Sequence, residues 1–139
     1  HKYYGYADTT ALSNIINYYL QLIFTPHSLI TLAIDGHLFQ LASDDKPWVG
    51  GSGAYNNASF GYVFRNPIAG KDIEKNIGGE VDVTLGVKPS KFAKLEAGYS
   101  HFFGGSGVEA VFDGKSDLDF IYVQLVLGFS TKDLPKRLP

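Results

Sequence analysis

This sequence predicts an all-β fold of long antiparallel strands running up and down, and three observations predict it. From Asn14 onward apolar and polar residues alternate with a period of two, and helical periodicity is hard to find. Connections come in two kinds: two short ones that each contain Pro, and two long ones rich in Gly, Asn, Asp and Ser that fall at the opposite end of the hairpins. Composition agrees, since 139 residues with 45% hydrophobic, 14% aromatic and only 19% charged side chains are too apolar for disorder and suffice for one modest domain.

The first stretch sets Ile16, Tyr18, Leu20, Leu22 and Phe24 on one face and Asn17, Tyr19 and Gln21 on the other. Thr25-Pro26-His27-Ser28 then reads as a turn, because Pro fixes φ and withholds a donor. The next stretch sets Ile30, Leu32, Ile34 and Leu38 against Thr31, Asp35 and His37. After the long connection Ser43 to Asn76, Val81, Val83, Leu85 and Val87 oppose Glu80, Asp82 and Thr84. Lys88-Pro89-Ser90-Lys91 is the second short turn, and beyond it Leu95, Ala97 and Tyr99 oppose Lys94, Glu96, Gly98 and Ser100. Following the second long connection, Gly104 to Ser116, the last stretch sets Ile121, Val123, Leu125, Leu127 and Phe129 against Tyr122 and Gln124. About five strands result, each with one wholly apolar face.

A soluble barrel also alternates, with its apolar face turned inward, so alternation does not separate water from membrane. The polar face does. In a soluble barrel it carries many Lys, Glu and Asp, whereas here it is mostly Tyr, Thr, Ser, Gly, Asn and Gln. Aromatic residues near strand ends, Phe24, Phe92, Phe102, Phe103 and Phe129, fit the interfacial girdles of membrane barrels, and short turns at one end with long loops at the other fit them too. No run of about 18 apolar residues offers a membrane helix, but a membrane strand needs only about 9 to 11. A net charge of −2 lacks the basic surplus of a nucleic-acid binder, and the absence of Cys excludes disulfides, thiolate metal sites and a thiol nucleophile.

Gly78 to Gly107, GGEVDVTLGVKPSKFAKLEAGYSHFFGGSG, followed by Asp117 to Phe129, DLDFIYVQLVLGF, resembles the C-terminal strands of the alginate-export family of outer-membrane porins. The opening HKYYGYAD, His1 to Asp8, resembles that family's preceding loop, and IDGHLFQLA, Ile34 to Ala42, its next strand; the most specific piece is LEAGYSHFFGG, Leu95 to Gly105. The resemblance implies an antiparallel transmembrane β-barrel in the outer membrane of a Gram-negative bacterium, with short periplasmic turns and long extracellular loops, passing polysaccharide or small solutes. Residues 1–139 would be the C-terminal part of one barrel domain, with 1–13 an extracellular loop, 14–129 strands and loops, and 130–139 a polar periplasmic tail. Tyr122 and Phe129, in the last strand, resemble the terminal signal read by the insertion machinery, although the tail STKDLPKRLP runs on where such barrels stop. The implied partners are outer-membrane lipid, the remaining strands of the barrel or further chains, and the solute; no nucleic acid and no cofactor is implied.

On that reading Asp35, His37, Glu80, Asp82, Lys94, Glu96, Tyr122 and Gln124 line the lumen. The charged members are four acids against one Lys beside a His, a wall that repels a polyanion. Asp35 and His37, two apart on a strand, point the same way and have the letters of a metal or proton-transfer pair, but no third ligand has recognisable spacing, and a polar wall explains them. Ser100, His101 and Asp119 supply triad letters, yet adjacent strand residues face opposite ways, so no enzyme is expected. Gly50-Gly51-Ser52-Gly53 and Gly104-Gly105-Ser106-Gly107 read as outer loops, opening no helix and lacking the Lys-Ser/Thr ending of a phosphate loop. Trp48 either stacks on a sugar ring or packs on the barrel rim, and the acids at Asp44-Asp45 and Asp113 to Asp119 lack a calcium-loop pattern. The alternative is a small soluble β-barrel binding an apolar ligand within its apolar stripes.

Overall fold

A computed structural model describes residues 5–11, 13–50, 63–72, 74–113 and 117–128. In chain order the elements are β1 (Ile15–His27), β2 (Ile30–Leu41), β3 (Trp48–Gly50), β4 (Val63–Arg65), β5 (Asn76–Ser90), β6 (Ala93–Gly104), α1 (Ser106–Phe112) and β7 (Leu118–Leu127). The five long strands form one antiparallel sheet in the order β1-β2-β5-β6-β7, and β3 pairs with β4 apart from it. The all-β, up-and-down architecture is the one that the alternation predicts. At 10 to 15 residues, each long strand has the length a bilayer crossing needs.

Register keeps the apolar residues together. Leu22, Ile34, Val83, Tyr99 and Ile121 stand opposite one another in a single row across all five strands. A one-residue slip of any strand would send its apolar set to the other face, so the pattern and the pairing specify each other. Nothing among the described residues covers this face: Ile121 is 73%, Val123 72% and Leu125 61% exposed.

Both prolines interrupt a ladder rather than form the turn itself. The register shifts between Phe24 and His27 around Pro26, and between Val87 and Ser90 around Pro89. A residue without an N–H cannot continue the ladder, so the strand kinks there and the turns come later, at Ser28-Leu29 and Lys91-Phe92. Each turn is tied by a side chain reaching two residues on: the Leu29 N–H donates to His27 Nδ1 at 3.2 Å and the Phe92 N–H to Ser90 Oγ at 3.2 Å.

At the other end the long connections fold back over the sheet. The stretch after Ser43 contributes the β3–β4 hairpin. The stretch after Gly104 contributes α1, which corrects the expectation that Gly104 to Gly107 opens no helix. Seven residues are too few for a 3.6-residue period to stand out in the sequence. The glycines permit close packing, since a Cβ on Gly107 would meet the Glu74 carbonyl, while Val108 and Ala110 face inward and Asp113 ends the helix in the left-handed region at φ 56. Asn14, also left-handed at φ 55, pins the first loop: its Nδ2 donates to the Ser43 and Lys46 carbonyls and its Oδ1 accepts from the Ser43 N–H.

Between this cap and the sheet lies the core of Phe39, Leu41, Trp48, Ile77, Phe102 and Val108. Phe102 therefore belongs to a buried cluster on the face opposite Phe103, not to an exposed girdle. Phe24 and Phe103 are exposed on the apolar face as expected, and Phe129 lies outside the described residues, as do residues 130–139. At the cap's edge Lys71 Nζ lies 3.3 Å from Asp113 Oδ1, both largely exposed. Solvent screens such a pair, so Lys71→Ala is expected to change stability by no more than about 0.5 kcal/mol, read from a urea titration.

Candidate functional site

The second face of the sheet gathers the polar side chains in rows fixed by the register. One row is Gln21, Asp35, Asp82 and Ser100; the next, toward the cap, is Tyr19, His37, Glu80 and Phe102. Asp35 is held by two donors on β1, the Tyr19 hydroxyl and the Gln21 amide, each 2.7 Å from its Oδ1. His37 Nδ1 lies 3.2 Å from Asn17 Oδ1 and its Nε2 lies 3.7 Å from Asp82 Oδ2. Two buried carboxylates directly opposite each other, Asp35 and Asp82, repel, and the imidazole and the β1 donors around them oppose that repulsion.

A segment from the beginning of the chain lies across these rows as a strap. The Ala7 N–H donates to Glu80 Oε1 at 2.9 Å. Gly5, at φ 82, sits so close above the same carboxyl group that any Cβ there would run into it. Tyr6 stacks on Tyr122 with ring centroids 5.1 Å apart. The strap then joins the cap, where the Ala11 N–H donates to the Val49 carbonyl at 2.9 Å. Beneath it Glu80 and Asp82 are 1% and 0% exposed, and Asp35 is 4%.

Toward the Pro turns the same face is open. A concavity of about 280 Å³ has small residues at its centre, Thr31, Ala33, Thr84 and Gly86, and taller ones around it, Gln21, Lys94, Glu96 and Tyr6. Glu96 accepts from Lys94 Nζ at 2.6 Å and from the Tyr122 hydroxyl at 3.0 Å. The Tyr122 ring takes the space that a side chain at Gly98 would fill.

Of the eight residues read from the sequence as lining one wall, all eight fall on this face, in two groups. Asp35, His37, Glu80 and Asp82 are buried, whereas Lys94 and Gln124 are exposed and Glu96 and Tyr122 partly so. The strap residues Gly5, Tyr6 and Ala7 escaped the reading because they belong to no periodic segment; the one signal was the HKYYGYAD string, which carried a resemblance but no role. Ser100 and His101 face opposite ways, as alternation requires. His101 sits on the apolar face with its Nδ1 2.8 Å from Asp119 Oδ1, which also accepts from the Tyr99 hydroxyl at 2.6 Å. Trp48 is buried edge-on to Phe112 beneath the Arg65 guanidinium, so it packs the rim and is closed to a sugar ring. Gly51 to Gly53 lie outside the described residues. Among the described residues no group of three His, Asp or Glu side chains is placed to hold a metal ion, and no helix is long and apolar enough to cross a membrane.

A family model described as Alginate export matches residues 1–120 of the chain. No curated protein and no solved structure matches it.

Proposed function

The chain belongs to the alginate-export family, whose members are outer-membrane β-barrel transport proteins, and from that premise we propose that its sheet is a sector of a channel wall passing polysaccharide or small solutes. The observation that carries the proposal is the inverted distribution of polarity. Long apolar rows stay uncovered while the carboxylates, an imidazole and a serine hydroxyl collect on the opposite face, partly beneath the strap and partly around the open concavity; this is the reverse of a soluble domain and suits a wall between lipid and an aqueous lumen. In the alternative, a soluble barrel, the apolar rows would have to enclose a ligand, and no element of the described chain closes over them.

Five strands with two open edges leave unpaired backbone groups that lipid cannot satisfy, so further strands, from the same barrel or from further chains, complete the wall. On this reading residues 1–139 are the C-terminal part of one barrel domain and the Pro turns face the periplasm. Tyr122 and Phe129 belong to the terminal insertion signal, and catalysis plays no part. Membrane fractionation tests it: the protein is expected in the outer-membrane fraction, to need detergent for extraction, and to conduct in planar bilayers. A monodisperse detergent-free solution would refute it.

Selectivity follows from the charges that line the open concavity, Asp35 buried at its wall and Glu96 partly exposed. Asp35 and Glu96 border the open concavity with Lys94, a local excess of negative charge that favours cations or neutral sugars along this wall, most strongly at low salt. The Asp35→Asn/Glu96→Gln double change keeps acceptor oxygens for Tyr19, Gln21 and Tyr122. It is expected to move the reversal potential under a salt gradient toward anions while leaving assembly intact. An unchanged reversal potential would show that other walls set the field.

A further inference from the structure

The polar group under the strap is short of donors. Asp35, Glu80 and Asp82 bring their carboxyl groups to one covered patch of the polar face. Asp35 has the Tyr19 hydroxyl and the Gln21 amide. Glu80 and Asp82, two apart on β5 and within hydrogen-bond reach of each other, are served less well. The Ala7 N–H donates to Glu80 Oε1, but Glu80 Oε2 and both Asp82 oxygens have no hydrogen-bond partner among the described residues.

The elements around the pair supply no firm counter-charge. Next to it β1 presents Asn17, Tyr19 and Gln21, β6 presents Ser100 and Phe102, and β7 presents Tyr122. On β2 the neighbours are Asp35 and His37, and His37 Nε2 lies 3.7 Å from Asp82 Oδ2, too far for a hydrogen bond. The strap carries Tyr6 and Asp8, neither of them a cation, and Lys94 Nζ is 2.6 Å from Glu96 Oε2 in the open concavity. Two adjacent carboxylates closed off from water without a cation do not both stay ionised. One proton on Glu80 Oε2 answers the deficit: Oε1 remains a carbonyl oxygen that accepts from Ala7, and Oε2 becomes a donor to Asp82.

We propose that docking of the strap is coupled to a proton: the strap closes on the sheet as the Glu80 and Asp82 pair takes up one proton from the aqueous lumen, and lifts as that proton returns to water. Acid closes the strap and alkali opens it. This deepens the channel reading and rests on it, since the polar face must meet water when the strap is raised. The docked state holds one proton more than the lifted state, in which water hydrates both carboxylates, so the ratio of docked to lifted strap falls by about tenfold at most per unit rise in pH. A proton gained by the His37 imidazole on hydration acts in the opposite sense, and the test separates the two.

The complete barrel is prepared in detergent micelles with one cysteine, Ala7→Cys, and its labelling by a small maleimide is followed from about pH 8 to about pH 5. Each rate is divided by that of an exposed reference thiol, Lys91→Cys, at the same pH, which removes the titration of the thiol itself. The normalised rate is expected to fall on acidification, by up to about tenfold per pH unit. Glu80→Gln is neutral at every pH, accepts from Ala7 and donates to Asp82, and is expected to keep labelling slow throughout. Asp82→Asn is expected to flatten the profile likewise and serves if the first variant does not assemble. His37→Gln is expected to keep the slowing in acid. A normalised rate that ignores pH, that rises in acid, that keeps its profile in both carboxamide variants, or that loses it only in His37→Gln overturns the proton coupling and leaves the channel reading intact. A preserved profile in a barrel that conducts at no pH in planar bilayers overturns the channel reading instead.

Discussion

Gly78→Ala is expected to destabilise the assembled sheet by about 4 kcal/mol, combining strain at a forbidden backbone conformation with overpacking against atoms that cannot move. Gly78 has φ 136, a region closed to residues with a Cβ, and the added atom would collide with the Phe103 carbonyl and approach the Gly105 nitrogen. Neither is the free end of a side chain. Phe103 is in the β5–β6 ladder, and the Gly105 N–H donates to the Ile77 carbonyl at 2.8 Å. Relief would have to break the junction at which the β2–β5 register shifts and α1 departs. The check is a urea titration of the refolded barrel, with Gly36→Ala as the matched control, since Gly36 is also strand-bound yet has ordinary φ and open space. The control is expected to match or slightly exceed the unaltered protein. Equal midpoints for the two variants would show that Gly78 is not the constraint.

The contrast between these two glycines also marks what could be read before any fold was known. Face assignment was legible along all five strands, because a period of two is a local property that burial on either side enforces: Asp35, Glu80, Asp82 and Glu96 fall together on the face that alternation gives them. Coverage was not legible. Whether a polar face meets solvent depends on where loops of no period come to rest, so Glu80 beneath the strap and Glu96 beside open space look alike in sequence. Phe102 shows the same failure from the apolar side. It lies next to Phe103 near a strand end; alternation puts the two on opposite faces, but only the position of the cap makes Phe102 core rather than lumen wall. The short helix escaped for want of length, and the two turns shifted because proline marks the break in a ladder more strictly than the centre of a turn.

Gly5→Val is expected to lift the strap from the sheet and raise single-channel conductance without altering the strands. Valine is excluded from the left-handed φ of 82 that Gly5 adopts, and its side chain would occupy the space of the Glu80 carboxyl group. Strain and clash together amount to about 2–3 kcal/mol, enough to shift the ratio of docked to lifted strap roughly fiftyfold. Lifting would remove the Ala7 N–H from Glu80 and the Tyr6 ring from Tyr122, and would uncover two buried carboxylates to the lumen. Because these 139 residues hold no cysteine, Ala7→Cys adds one thiol to this part of the wall, in a background from which any other accessible cysteine is removed; it keeps the backbone donor and is buried while the strap is docked. Its labelling by a small maleimide should be slow alone and about fiftyfold faster when combined with Gly5→Val, provided that lifting limits access. Conductance and labelling report independent things, the width of the path and the position of the strap. Faster labelling with unchanged conductance would mean that the strap lies aside from the path. Unchanged labelling would mean that the contact with Glu80 does not hold it.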